Sequence, residues 1–112
     1  MSASLQVDFR NLARSETLER LLARDAQRNR VLRASGARGR VVLEATHRHP
    51  QGIREVEVLV RLEAPEADVV VRRRLREASR HFLLKVARTA LRIAAQEFRE
   101  RIRRRRAVAA FA

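Results

Sequence analysis

The stretch Glu44–Arg73, EATHRHPQGIREVEVLVRLEAPEADVVVRR, decides the fold. Its middle alternates, with Leu59 the one apolar residue on the charged side. Val56, Val58, Val60 and Leu62 point one way, and Glu55, Glu57, Arg61 and Glu63 the other. A period of two with one apolar and one charged face is a strand buried on one side only. His-Pro-Gln-Gly before it reads as a hairpin connection, because Pro presets a turn and Gly supplies backbone freedom. Ala-Pro-Glu-Ala-Asp turns the chain again, and VVVRRR opens a further strand.

Upstream, RVVLEATH carries Val41, Leu43, Ala45 and His47 on one face, the partner strand of the hairpin. Before it, Leu5, Val7 and Phe9 alternate with Gln6, Asp8 and Arg10. Ser15 then caps a helix whose first turn holds Glu16 and Glu19. Leu18, Leu21, Leu22 and Ala26 continue it at helical spacing, and Ala34 to Gly39 is expected as a loop. Downstream of about Leu75 the period becomes helical. Leu83, Leu84, Val86, Ala87, Ala90, Leu91, Ala94, Phe98 and Ile102 form a broad apolar stripe that neither Gly nor Pro interrupts. A helix over about residues 75–105 would be about 45 Å long at ~1.5 Å per residue, so its last turns should project into solvent. The order β-α-β-β-β-α predicts a two-layer α+β sandwich, with a four-stranded sheet and both helices on its buried face.

With 112 residues, 46% of them apolar, the chain can form one domain with a modest core. It has a net charge of +13, and Lys85 is its only lysine among the basic residues. That balance favours an anionic partner, nucleic acid or an anionic membrane surface. The absence of cysteine excludes disulfides, thiolate metal sites and cysteine nucleophiles. Nothing approaches the ~20 apolar residues of a membrane span. A soluble, cytoplasmic protein is expected.

The charge is uneven. Fourteen basic residues stand against three acids between Arg72 and Arg106. Arg20, Arg24 and Arg28 make one exposed row on the first helix, at i, i+4 and i+8. Two such helices side by side would present a continuous basic surface. The run RIRRRR, Arg101 to Arg106, is either an electrostatic tail or a specific contact. His47 and His49 could begin a metal site, but a tight site needs three or four ligands, and the third histidine, His81, lies in another element. No glycine-rich phosphate loop or nucleophile signature is present, so neither enzyme activity nor a cofactor is expected.

The segments LQVDFRNL, SETLERLLARDA, GRVVLEATHRHPQG, REVEVLVRLEAP and DVVVRR together resemble the hibernation promoting factor and ribosome-associated inhibitor family of bacterial proteins. The resemblance implies the fold derived above, with residues 1–106 as one domain and 107–112 as a short tail. It implies binding to small-subunit rRNA in the channel for mRNA and tRNA, and translation stopped by occupancy without chemistry. By position, it assigns RNA contacts to Arg20, Arg24 and Arg28 on the first helix and to Lys85, Arg88, Arg92 and Arg99 on the second. It implies neither a membrane nor a small-molecule partner. Ile93 and Gln96 stand where the family usually has basic residues, and Leu84 falls near its usual aromatic. The apolar LLKVARTALRIAA also leaves open a protein-interaction module that forms a homodimer through the second helix. A general RNA-binding protein is a third reading.

Overall fold

A computed structural model describes residues 3–48, 54–76 and 80–111. The elements run β1 (Ser4–Arg10), α1 (Glu16–Arg28), α2 (Arg30–Ser35), β2 (Arg38–Arg48), β3 (Arg54–Ala64), β4 (Ala67–Arg76) and α3 (Arg80–Ala110). The sheet order is β1-β2-β3-β4. β1 is parallel to β2, and the remaining pairs are antiparallel. A parallel pair needs a crossover, which α1 and α2 supply. The architecture is the expected two-layer α+β fold.

Three expectations shift. The first helix is broken in two at Asn29, whose extended backbone ends α1 while its side chain accepts a hydrogen bond from Leu32 N at 3.1 Å and caps α2. The expected loop shrinks accordingly, because α2 runs through Ser35 and ends on Gly36 at φ 61°, a left-handed position that glycine adopts without strain. The second helix begins at Arg80, because Leu75 pairs with Val56 as the last core-facing residue of β4. That helix, α3, then continues to Ala110.

The core lies between the sheet and the helices. Val41 and Leu43 of β2, Val58, Val60 and Leu62 of β3, and Val69 of β4 are buried under Leu18, Leu22, Leu32 and α3. Gly39 faces this layer between Leu5 and Leu62 in the register. A Cβ there would stand 2.7 Å from Leu5 Cδ1 and 3.1 Å from Leu62 Cδ2, so the bare backbone lets those two leucines close over it. On α3, Ala87, Ala90 and Ala94 bring the helix close to the sheet, while Leu83, Leu91, Phe98 and Ile102 fill the space beside them. The apolar stripe of the second helix is therefore mostly core. Among the described residues no buried side-chain nitrogen or oxygen lacks a hydrogen-bond partner. No described helix is long and apolar enough to cross a membrane.

α3 has 31 residues, about 46 Å of helix, against about 33 Å for the ten residues of β4. The excess overhangs the sheet, and Val108 and Phe111 are 71% and 93% exposed. The expected projection into solvent is met. Arginines pin the base of the overhang. Arg101 donates to the carbonyl of Asp68, and Arg105 donates to those of Glu66 (3.1 Å) and Pro65 (3.4 Å). Part of the RIRRRR run thus holds the β3–β4 turn.

A β-bulge between Ala45 and His47 interrupts the alternation of β2 and sets His47 in register with Glu55. His49 and the Pro-Gln-Gly connection lie outside the described residues, so the paired-histidine geometry does too. Among the described residues no group of three or more His, Asp or Glu is placed to hold a metal.

Candidate nucleic-acid interface

Strand parity assigns the charged sheet residues whose side chains are described to a face, and Arg73 alone shares the parity of the core positions. The outer face, away from the helices, carries Arg10, Arg38, Arg40, Arg61, Arg72, Arg74 and Arg76 against Asp8, Glu44, Glu55, Glu57, Glu63 and Asp68. These charges nearly cancel, and several are paired. Arg40 lies 2.6 Å from Asp8, Arg61 lies 2.9 Å from Asp68, and Arg74 lies 3.4 Å from Glu57. The Arg61 guanidinium donates two hydrogen bonds to Asp68 and holds its carboxyl below the ordinary value. Arg40 donates one hydrogen bond to Asp8, from Nε at 2.7 Å, and likewise holds that carboxyl below its ordinary value.

A carboxyl lowered on folding contributes stability that is present above its ordinary pKa and is lost as pH falls through the folded value. The stability difference between wild type and Asp68→Asn should therefore be flat at neutral pH and shrink below about pH 4. Urea titrations across that range measure it. A difference that stays constant with pH would remove the assignment.

The helix layer carries the excess positive charge. Arg20, Arg24, Arg28, Arg30, Arg33, Lys85, Arg92 and Arg99 have no carboxylate within ion-pair distance among the described residues. A groove of about 690 Å³ runs between α1–α2 and α3, and its basic lining is Arg28, His81, Lys85, Arg88 and Arg92. Leu32, Leu84 and Leu91 also line it. Asp25 is the one carboxylate in that lining. It accepts from Arg88 Nε at 2.7 Å and from Arg88 Nη2 at 3.0 Å, a two-pronged bridge between α1 and α3.

Four of the seven expected contact residues thus meet in one groove: Arg28, Lys85, Arg88 and Arg92. Arg88 is already engaged by Asp25. Arg24 is exposed on α1 outside the groove, and Arg20 lies on the flank of α1 nearest β1, beside Leu5 and Val7. Arg99 lies farther along α3, in a separate cleft against α2.

The sequence reading weighed His81 only as a metal ligand, and Arg103 and Arg106 only within the RIRRRR run, and set none of them in the contact row. All three fall on the stripe that holds Arg88, Arg92 and Arg99 once α3 is set in register from Arg80, and the spacing 88, 92, 99, 103, 106 is itself a helical signal. It also passed over Arg30 and Arg33, which became surface residues of α2 only with the break at Asn29.

Fold and charge together define a two-layer α+β domain whose surplus of positive charge, among the described residues, lies on its helix layer. Among solved structures, the chain matches the N-terminal domain of Protein Y from Thermus thermophilus at a TM-score of 0.58 and 14% identity, covering 89% of this chain and 98% of that one. It also matches a ribosomal subunit interface protein from Coxiella burnetii at a TM-score of 0.57 and 8% identity, covering 93% and 98%. The resemblance seen in the sequence is met by these two structures at the level of fold. No family model matches the chain, and no curated protein matches its sequence.

Proposed function

We propose that this chain is a ribosome-associated factor that binds small-subunit rRNA through its helix layer and blocks the mRNA and tRNA channel by occupancy. The observation that carries this reading is the one-sidedness of the charge. The outer sheet face neutralises itself, and the helices present the surplus around an open groove. Basic side chains merely kept solvated have no reason to segregate in this way. Phosphate attraction would supply most of the affinity. The fold shared with ribosome-associated proteins supports the ribosome as the source of that phosphate. The homodimer reading loses its main support, because Leu83, Ala87, Ala90, Leu91 and Ala94 of the apolar stripe are buried in the chain's own core.

Cosedimentation with small subunits, large subunits and bulk RNA at physiological salt tests the proposal. Saturable binding to small subunits alone, relieved by mRNA and tRNA, is expected. Equal binding to every RNA would reduce the chain to a general RNA-binding protein.

Asp25 has a definite place in this reading. A carboxylate in the lining of a basic groove repels phosphate that is not positioned to avoid it, and it occupies Arg88. Asp25→Asn should raise the affinity for bulk RNA about three- to tenfold at low salt. Filter binding at two salt concentrations measures the change, and an unaltered affinity would mean that phosphate does not enter the groove near Asp25.

A further inference from the structure

We propose that the cleft between α2 and α3 holds one unstacked nucleotide of the RNA strand bound by the helix layer. The inference rests on the RNA-binding reading and extends it to a site distinct from the main groove. The cleft has a volume of about 310 Å³ and is lined by Val31, Ala34 and Ser35 of α2 and by Arg99, Ile102, Arg103 and Arg106 of α3. Its floor is aliphatic and its rim is three guanidinium groups. The Ser35 hydroxyl donates to its own helix, at 2.8 Å from Val31 O and 3.2 Å from Leu32 O.

This combination selects the ligand. A phosphodiester backbone alone has no use for an apolar floor, and an aliphatic partner has no use for three arginines around it. A nucleobase flanked by phosphates uses both. Its flat face lies on aliphatic carbon and guanidinium planes, and the phosphates take the arginine forks. The rim is free to make the exchange. Arg103 is 3.7 Å from Glu100 and Arg106 is 3.6 Å from Glu66, both exposed pairs of the kind that contribute little.

The cleft also continues the main groove. Arg92 lines the groove and Arg99 the cleft, two helical turns apart on one stripe of α3, about 10 Å. Arg30 stands one turn before Ala34 on α2 and adds charge on the opposite side. A strand crossing the groove therefore reaches the cleft within a few nucleotides. A base-paired helix keeps its bases stacked inside, so the site selects a single-stranded segment, a loop or a bulge.

The test compares three probes by fluorescence anisotropy: a short oligoadenylate, an abasic strand of the same length and charge, and free AMP. Oligoadenylate should bind about tenfold more tightly than the abasic strand, the scale of one base stacked on a protein surface. Ala34→Leu, which fills the floor, and Ala34→Glu, which charges it, should each remove that preference. Affinity of Ala34→Leu for the abasic strand should stay as in wild type. Ala34 is exposed, so both variants are expected to fold, with circular dichroism as the check. Equal affinity for the two strands would overturn the proposal, as would a preference that survives in both variants. AMP binding as tightly as the oligonucleotide would overturn it in favour of a free-nucleotide site. If wild type cosediments with small subunits yet shows no base preference, the cleft assignment alone falls. If it ignores both strands and the subunits, the RNA-binding reading falls with it.

Discussion

Replacing Arg20, Arg24 and Arg28 together by Glu should lower the affinity for small subunits by at least about 100-fold at physiological salt. The three side chains lie on one row of α1, and none of them is within ion-pair distance of a carboxylate among the described residues. Their removal breaks no native bridge, and the melting temperature should change little. What changes is the field over the helix layer, where three positive charges become three negative ones, a net change of six units. The salt dependence separates this effect from misfolding. Losing three phosphate contacts should make the log–log slope of affinity against salt shallower by roughly 2. A variant that is folded and binds like wild type would show that α1 does not face RNA, and the proposed function would fall with it.

Phe98→Ala should be the most damaging single substitution for the fold, with a loss of about 3–5 kcal/mol. Phe98 has no solvent exposure and is the largest of the fully buried side chains. It sits where α3 crosses toward the β3–β4 end of the sheet, with alanines at positions 90, 94 and 95 before it. Those small residues cannot move in to fill the space, because their helix is held by Arg88 to α1 and by Arg101 and Arg105 to the turn. Set against the 5–15 kcal/mol typical of a domain, the loss leaves little in reserve. Urea unfolding should show a lower midpoint with a nearly unchanged slope. A shift of less than about 1 kcal/mol would mean that the helix relaxes onto the sheet despite its anchors.

The strands were legible because each is wet on one face, so alternation alone marks β1, β3 and most of β2. The limits of β4 were not. Leu75 fits equally as the last apolar residue of a strand or the first of a helix, and only its pairing with Val56 decides. The break at Asn29 was hidden for a similar reason: the apolar spacing continues through it, and an asparagine side chain at a cap looks like any polar surface residue. The basic character of the helix layer was visible as sequence rows on α1 and α3. The partners were not. Arg88 meets Asp25 across 63 positions and Arg101 meets the carbonyl of Asp68 across 33, and no local pattern encodes either contact. The cleft between α2 and α3 needed both the break at Asn29 and the full length of α3 before it could be seen.

The self-cancelling outer face has a kinetic consequence. A body with balanced charge on one side and a surplus on the other carries a strong electric dipole along the line from sheet to helices. In the field of a polyanion such a body experiences a torque before it makes contact, and it turns its helices toward the target while still diffusing. Unproductive collisions through the sheet are thereby reduced without any barrier on that side. The rate of capture should then fall steeply as added ions shorten the reach of the field, while the lifetime of the formed complex changes less.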